Sequence, residues 1–464
     1  MDDANQPTLP DGGVFQSASD REKIRALPWY LAHGALTSVF FLWTFGGSVF
    51  LLFLSELGLP KGQIGIMLSF FPFCGLVALV FAPYATRIGR KRVFLTCFTG
   101  RYVVIINLLF LPWILSHLGK PAGITFVFGI MFTVALLRAL GETAYYPWSQ
   151  EFIPNSVRGW YSALANALST LASAIALLIA GDVIGSAAGL PRFLWLIGIG
   201  TIFGLVGILV MRWVPGGAPD GSGGGAASHL ANMRDALRTP NLSAYIKGVG
   251  GVMLGSVLLT SFLPLYLKEQ MGLPAGTVVT LDMVVMVGGA LSSFAWGWAA
   301  DRVGSRPILM SSLAVGLLLP VGWLFLPRQV PNAVLWCGLL YFIYGVIANG
   351  SAIGAGRLLF NSVVPQQKST SYTAIYYAWI GLTGGIAPLL AGGILSLTAG
   401  MHTGIGMVVI DGQTILFILA FLFLGYGLLE YGRVAPDDIY TTRSAIRKLI
   451  KRNPFVKRTS RSRV

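Results

Sequence analysis

Twelve apolar runs, each of about 20 residues or slightly more, dominate this sequence and restrict what the chain can fold into. They fall at approximately 29–55, 62–85, 93–116, 122–149, 157–181, 191–213, 243–267, 275–299, 307–327, 332–358, 370–398 and 408–431. An α-helix needs about 20 apolar residues to cross the hydrocarbon core of a bilayer. Charged residues make up only 11% of the chain, against about 25% in a soluble domain. The sequence therefore predicts an all-α polytopic membrane protein with twelve transmembrane helices.

A break near the middle of the chain divides the twelve runs into two sets of six. Residues 214–242 contain a Pro-Gly-Gly sequence that begins at Pro215 and a Gly-Ser run that ends at Gly225, a composition typical of flexible linkers. We therefore expect five parts, in chain order: an N-terminal tail (1–28), a first six-helix bundle (29–213), the linker (214–242), a second six-helix bundle (243–431) and a basic C-terminal tail (432–464).

Lysine and arginine are distributed unevenly between the two sides of the predicted membrane. One side collects the basic residues near both termini and after runs 2, 4, 6, 8 and 10, whereas the other has only Lys61, Lys120, Arg192, Lys268 and Arg328. Because cytoplasmic loops are enriched in Lys and Arg, we expect a multi-pass protein of a bacterial-type inner membrane with both termini in the cytoplasm. The formal charge of +15 is then a topology signal, and the basic tail is expected to attract anionic lipids and not nucleic acid.

Two loops in matching positions, one after run 2 and one after run 8, carry similar motifs. The second reads G-x-x-x-D-R-x-G-x-R, with its fixed positions filled by Gly297, Asp301, Arg302, Gly304 and Arg306. The first copy keeps Arg87, Gly89 and Arg90 but has Thr86 where the acid belongs. The repeated motif resembles the cytoplasmic loop signature of the major facilitator superfamily, and the resemblance covers nearly the whole chain.

This resemblance implies two six-helix bundles related by an axis along the membrane normal, a substrate cavity near the midplane and alternating access. The loop residues would form a conformational latch, in which glycine allows a tight turn while the acid and the cations bridge neighbouring helices. Because Thr86 replaces the acid in the first copy, we expect the latch to depend on Asp301 in the second. The alternative is a charged turn that only follows the positive-inside rule.

Ionisable residues also lie inside the predicted helices. Arg138 and Glu142 in run 4 are one turn apart on the same helix face, and Arg138 lies about 15 Å from the end of its helix. A charge at a helix centre costs about 2.5–3.5 kcal/mol on insertion scales. The stretch resembles the fourth-helix arginine motif of the superfamily, which implies proton handling; a structural ion pair is the alternative. Arg101 and Asp282 complete the proton-coupling candidates, with structural hydrogen bonding by Arg101 and contact of Asp282 with outside water as alternatives.

A further set of side chains combines a ring or an aliphatic stem with a polar tip. The candidates for lining a substrate cavity are Trp43, Tyr145, Tyr146, Ser256, Thr260, Tyr344, Asn349, Tyr376 and Tyr377. Such side chains suit an amphipathic or hydroxylated solute. Trp and Tyr are also enriched at membrane interfaces, so a place in an interfacial belt or in the core stays open for each of them.

The sequence contains no Walker-type glycine loop, metal-ligand cluster or nucleophile triad, so neither ATP-driven transport nor catalysis is indicated and no cofactor is expected. It favours a secondary active transporter, acting as a monomer, that moves a small organic solute together with protons. A lipid or amphiphile flippase of the same fold and a non-transporting assembly factor are the alternatives. The ionisable residues inside the helices argue against the assembly factor, because a scaffold has no need to tolerate their cost.

Overall fold

A computed structural model of the chain describes residues 19–154, 157–219, 237–365, 369–401, 403–405 and 408–437. The predicted N-terminal tail, most of the predicted linker and the predicted basic tail lie mainly or wholly outside these residues. The first six helices are helix 1 (Asp20–Thr44 and Gly47–Glu56), helix 2 (Lys61–Cys74, Gly75–Val77 and Ala78–Ile88), helix 3 (Arg90–Ile105, Ile106–Phe110 and Leu111–His117), helix 4 (Gly119–Phe152), helix 5 (Arg158–Ser186) and helix 6 (Pro191–Val210 and Met211–Trp213).

Six further helices follow the linker. They are helix 7 (Pro240–Thr260 and Leu263–Glu269), helix 8 (Ala275–Val303), helix 9 (Ser305–Gly316 and Leu318–Phe325), helix 10 (Ala333–Leu358 with a π-helical end at Leu359–Val363), helix 11 (Ser369–Leu397) and helix 12 (Gly412–Tyr431). By length and composition, eleven helices in the described ranges are able to cross a membrane. Helix 2 is the twelfth; its apolar segment Lys61–Val77 is shorter than the other eleven.

The structure adds one element that the apolar pattern did not predict. A two-stranded antiparallel hairpin, β1 (Thr403–Ile405) and β2 (Val408–Ile410), joins helices 11 and 12. Helix 12 consequently begins at Gly412, where the side chain of Asp411 caps it by accepting from the backbone N–H of Thr414 at 3.0 Å. The predicted start at 408 was wrong because the three residues of β2 are all apolar and extend the apolar run of the helix toward its N-terminal side.

The helix ends define two faces of the molecule. We call the end that holds Ser19, Asp437 and the connections from helix 2 to 3 and from helix 8 to 9 the terminal face, and the opposite end the distal face. The two connections on the terminal face turn at Gly89 (φ 105°) and Gly304 (φ 86°). A residue with a side chain would be strained at these angles, so the repeated glycine of the loop motif has a backbone role in both halves.

Helix 1 is broken by a pair of glycines inside its apolar run. The first piece ends at Thr44, and the second begins at Gly47, which has a φ of 57°. Since glycine is the residue that adopts this angle without strain, the Gly46–Gly47 pair permits the break. The first backbone N–H groups of the second piece have no partner within their own helix, and Gly46 at the N-cap has no side chain to supply one.

Corresponding helices pack alike in the two halves. Helix 1 lies along helices 5 and 6, and helix 7 lies along helices 11 and 12; helix 3 packs on helix 4 as helix 9 packs on helix 10. Small residues allow the close approaches: a Cβ added at Gly251 of helix 7 would lie 2.8 Å from the Cα of Gly427 in helix 12. Close backbone packing of this kind is a main source of helix association in a bilayer, where burial of apolar surface gains little.

The two bundles meet through the distal halves of their helices. Helix 2 crosses helix 11, where a Cβ at Gly65 would lie 2.4 Å from the carbonyl oxygen of Pro388 and a Cβ at Gly392 would lie 2.6 Å from that of Lys61. Helix 5 crosses helix 8 in the corresponding place, with Gly276 against the backbone of Gly181. These backbone contacts close the distal face.

Candidate substrate cavity and latch

A cavity of about 1350 Å³ lies between the two bundles. Helices 1, 2, 4 and 5 form one wall, and helices 7 to 11 form the other. Tyr146 and Tyr377, which line it toward the terminal face, are 64% and 65% exposed, whereas Leu51 and Leu263 beneath the distal contacts are 2% and 5% exposed. The cavity is therefore open toward the terminal face and closed toward the distal face.

Arg138 and Glu142 face this cavity from helix 4 and form an ion pair. Nε of Arg138 donates to Oε1 of Glu142 at 2.8 Å, and the two side chains are 32% and 34% exposed. The guanidinium also lies 5.9 Å from the ring centroid of Phe71 on helix 2. The pair therefore lies in the part of the cavity that water from the terminal face can reach.

Asp282 lines the cavity from helix 8, close to its distal end. One of its carboxylate oxygens, Oδ2, accepts a hydrogen bond of 2.9 Å from the backbone N–H of Ser48, in the first turn of the second piece of helix 1. The carboxylate of one bundle thus occupies the broken helix end of the other. The ring of Tyr341 on helix 10 also lines the cavity.

Four of the nine residues with polar tips line the cavity: Tyr146, Thr260, Tyr344 and Tyr377. The other five, Trp43, Tyr145, Ser256, Asn349 and Tyr376, are not among its lining residues. Among these, the indole N–H of Trp43 donates to the carbonyl oxygen of Ala176 on helix 5 at 2.8 Å, and the amide of Asn349 donates to that of Gly289 on helix 8 at 2.9 Å. These two side chains join helices within one half.

The contacts of the remaining three residues are to residues of their own half. The ring of Tyr145 stacks on Phe94 with centroids 5.0 Å apart, and Tyr376 packs edge-on against its neighbour Tyr377. The backbone carbonyl of Ser256 accepts the hydroxyl hydrogen bond of Thr260. On a helix next to a cavity, the face that a residue occupies decides between lining and packing, and composition alone does not identify that face.

Arg101 is buried within the first bundle and is not among the lining residues of the cavity. Its guanidinium carbon lies 4.0 Å from the ring centroid of Phe98 and 4.9 Å from that of Phe40, and Nη2 donates to the hydroxyl of Tyr102 at 2.9 Å. Aromatic faces and a hydroxyl thus surround the cation, an arrangement that stabilises a buried charge without an acid. Of the structural and coupling roles considered for Arg101, this environment favours the structural one.

The second copy of the loop motif connects helices 8, 9, 10 and the chain beyond helix 12. Nη1 of Arg357 on helix 10 donates to Oδ1 of Asp301 at 2.7 Å, while the guanidinium of Arg302 lies over the ring of Trp298 at 4.1 Å. Arg306 donates to the carbonyl oxygen of Gly432. A Cβ at Gly297 would meet no atom within 4 Å, so the first glycine of the motif does not serve a close approach in this conformation.

The first copy of the motif has different partners. Arg90 lies 3.5 Å from Glu151 at the end of helix 4, and Glu151 in turn accepts from the backbone N–H of Gly217 at 3.1 Å. Arg87 is exposed. The acid that supports the first loop therefore comes from helix 4, whereas in the second loop Asp301 belongs to the motif itself.

Asp437 is a site residue that the sequence reading did not identify. Its carboxylate accepts from the backbone N–H groups of Ser305 at 3.0 Å and Arg306 at 3.4 Å, so it caps helix 9 from beyond helix 12. Burial raises the pKa of this carboxyl, but the hydrogen bonds from Ser305 and Asn361 outweigh that effect and hold the pKa below its usual value. The contribution of this cap to stability is therefore present at neutral pH and is lost as the pH falls through the lowered pKa.

We expect Asp301→Asn to lower the maximal transport rate severalfold and to leave the affinity for solute nearly unchanged, because neither Asp301 nor its partner Arg357 is among the cavity-lining residues. The free energy of unfolding should change by no more than about 1 kcal/mol, since the ion pair is exposed. Transport kinetics and thermal unfolding in detergent measure the two effects. Thr86→Ala, at the matching position of the first loop, should affect transport much less; equal losses for both variants would contradict the latch assignment.

Comparisons with known proteins identify the family. The sequence matches the family model of the Major Facilitator Superfamily over residues 31–388, and the chain belongs to this family of membrane transporters. An uncharacterised MFS-type transporter of Mycobacterium tuberculosis is 31% identical over 121 residues, or 25% of this chain and 26% of the relative. The ectoine/proline transporter ProP of Corynebacterium glutamicum is 28% identical over 142 residues, or 30% of this chain and 27% of the relative. Each match thus spans about a quarter of the curated relative.

Solved structures share the fold over nearly the whole chain. The nucleoside transporter NupG aligns with a TM-score of 0.63 at 14% identity, over 90% of this chain and 100% of NupG. A bacterial homologue of the human lysosomal transporter Spinster, in an inward-facing and unoccupied conformation, aligns with a TM-score of 0.64 at 15% identity, over 90% of this chain and 98% of the homologue. The major facilitator fold predicted from the sequence is confirmed.

Proposed function

We propose that this protein is a secondary active transporter that moves a small organic solute by alternating access, and that protons drive the transport. The observation that carries the proposal is the cavity between the two bundles, which is closed by backbone contacts at the distal face and open at the terminal face. Rocking of one bundle against the other about such a cavity exposes it to each side in turn. Protons are proposed as the coupling ion because Glu142 and Asp282 both face the cavity.

The lining of the cavity favours a class of solute. Its charged residues, within the described chain, are Arg138, Glu142 and Asp282, which together carry one more negative than positive charge. Phe45, Phe71 and other aromatic side chains form much of the remaining wall. Apolar walls with a few convergent polar groups suit a small amphipathic molecule, and the excess of acid favours one with a cationic or zwitterionic group. The partial match to an ectoine/proline transporter supports a small organic solute without identifying it.

Uptake by purified protein in liposomes tests the function. Proline, ectoine, nucleosides and small aromatic amines are offered with and without a pH gradient across the membrane, and a trapped fluorescent dye reports the internal pH. We expect one class to accumulate with the gradient and to move protons as it does so. Accumulation that survives collapse of the gradient by a protonophore would contradict proton coupling, and movement of a fluorescent lipid in place of these solutes would favour a flippase.

We expect both termini to lie in the cytoplasm of a bacterial-type inner membrane, so that the terminal face is cytoplasmic and the structure is inward-facing. A tag at either terminus should be inaccessible to protease added to intact cells, while a reporter in the 117–121 loop should be accessible. The basis is the excess of Lys and Arg in the loops of that face. Termini on opposite sides of the membrane would contradict both the orientation and the pairing of the two bundles.

The proposed transporter also has an expected oligomeric state and an expected lipid partner. We expect the protein to act as a monomer, because the cavity is complete within one chain. The basic residues beyond Asp437 are expected to associate with anionic lipid headgroups when the terminal face is cytoplasmic.

A further inference from the structure

We propose that Asp282 holds the distal face closed, by capping the broken end of helix 1 across the boundary between the two bundles. The proposal goes beyond transport itself and rests on the alternating-access function proposed above, since it assigns the contact that stabilises one of the two conformations. It also gives a reason for a feature that the transport function alone leaves unexplained, the Gly-Gly pair inside a transmembrane helix.

The geometry of the contact is that of a helix cap supplied by another helix. Ser48 is the second residue of the second piece of helix 1, and its backbone N–H points at Oδ2 of Asp282 over 2.9 Å. Gly46, at the N-cap position, has no side chain that could accept this bond. A carboxylate at a helix N-terminus interacts favourably both with the free N–H groups and with the positive end of the helix dipole.

The glycine at position 47 is required for this contact. A Cβ at Gly47 would lie 2.7 Å from Oδ2 of Asp282, which is closer than van der Waals contact allows. Its φ of 57° would in addition strain a residue with a side chain. The same glycine thus breaks the helix and leaves room for the acid of the other bundle.

Two ion pairs also join the bundles. They lie at the distal surface, where exposure to water weakens them. Lys61 pairs with Glu269 at 2.8 Å, with side chains 34% and 39% exposed, and Lys268 lies 3.6 Å from Glu56. Exposed ion pairs contribute little because water screens them and their long side chains lose entropy. The bond from Ser48 to Asp282 begins at a residue that is only 1% exposed, so water screens it less than it screens the surface ion pairs.

Opening of the distal face must break this bond, because helix 1 and helix 8 belong to bundles that separate. The carboxylate and the N–H group, which both line the cavity, would then exchange this bond for bonds to water. Asp282 also lines the cavity, so a cationic group of a bound solute can compete with Ser48 for the carboxylate. Binding of such a solute would thereby favour opening toward the distal face.

The distance between the bundles at the distal face tests the proposal without any need for transport. Spin labels are attached to Leu118→Cys and Leu397→Cys, which replace exposed residues at the distal ends of helix 3 and helix 11. The full chain is placed in lipid nanodiscs after Cys74, Cys97 and Cys337 are changed to serine. Pulsed electron–electron double resonance then gives the distribution of distances between the two labels. We expect Asp282→Asn to raise the ratio of the long-distance to the short-distance population about tenfold, because the neutral amide oxygen accepts a weaker hydrogen bond than a carboxylate and no longer interacts with the helix dipole.

Two further variants complete the experiment. Asp182→Asn removes an exposed acid of helix 5 that is not among the cavity-lining residues, and it should leave the distribution unchanged. Gly47→Ala should shift the populations in the same direction as Asp282→Asn, and the two changes together should shift them less than the sum of their separate effects. A distribution for Asp282→Asn equal to that of the wild type would overturn the cap. Failure of the wild type to transport any offered solute would count against the proposed function alone.

Discussion

Replacing Glu142 with glutamine is expected to abolish accumulation of solute on a pH gradient while leaving solute binding and downhill exchange measurable. Glutamine keeps the size of the side chain and part of its hydrogen bonding but cannot exchange a proton. The measurement is uptake into proteoliposomes as a function of the imposed pH gradient, for the wild type and for Glu142→Gln. Loss of accumulation with retained exchange would identify Glu142 as a coupling residue.

The physical basis is the change in surroundings of the carboxyl group between conformations. A carboxyl in a medium of low dielectric constant favours its protonated form, whereas a nearby cation favours its ionised form. In this structure, in which the cavity is open toward the terminal face, Arg138 is bonded to Glu142 at 2.8 Å and both side chains line the cavity. If Arg138 withdraws when the cavity opens to the other side, the affinity of Glu142 for a proton alternates with access, which is what coupling requires.

Asp182→Asn provides the matched control for this prediction. It also neutralises an acid inside a transmembrane helix, but Asp182 is exposed and is not among the residues that line the cavity. We expect its accumulation of solute to equal that of the wild type. Normal accumulation by Glu142→Gln would assign Glu142 to a structural ion pair and would leave Asp282 as the leading coupling candidate.

Replacing Gly392 with valine is expected to reduce the transport rate strongly, by a steric effect at the contact between the two bundles. Gly392 lies where helix 11 crosses helix 2, and a Cβ there would lie 2.6 Å from the carbonyl oxygen of Lys61. Because backbone atoms cannot move aside as a flexible side chain can, valine should force the two bundles apart at the distal face. Overpacking costs about 1–3 kcal/mol, which corresponds to a change of about 5- to 150-fold in the equilibrium between closed and open distal faces.

Gly393→Val is a matched control, since it makes the same substitution at the next residue of the same helix. A Cβ at Gly393 would meet no atom within 4 Å, so expression, insertion and transport should stay near the wild-type values. The readouts are transport rate and the distal spin-label distance described above. Equal transport by the two valine variants would show that the crossing of helices 2 and 11 does not need to close in this way.

The loop motif predicted the family and the two turns at glycine, but the residues that bind the loop could not be identified from the sequence. Glycine at 89 and 304 follows from the need for a turn between two helices, and both adopt positive φ. The partner of Asp301 is Arg357 on helix 10, and the loop is also held by Asp437, far away along the chain. An acid shortly after the last helix was the available signal for Asp437, although nothing in its spacing relates it to the start of helix 9.

Some of the residues that line the cavity were predicted from the sequence, and others were not. Arg138, Glu142 and Asp282 were selected because a charge inside an apolar run is costly and therefore needs an explanation, and all three line the cavity. Trp43 and Asn349 were selected by residue type alone, and they bind the backbone of neighbouring helices instead. The Gly-Gly pair at 46 and 47 marks the break in helix 1, but the continuous apolar run at 29–55 predicts one unbroken helix.

The sequence by itself determined the membrane class, the helical runs, the two halves and the family. These properties depend on apolar run length, the distribution of Lys and Arg, and a local motif, and each is written in consecutive residues. The tertiary structure alone decided that Asp282 caps helix 1, that Gly392 rather than Gly393 lies at a backbone crossing, and that Arg101 is enclosed by aromatic rings. Those facts depend on the rotation of each helix about its axis and on its neighbours in the other bundle, which packing between distant segments sets.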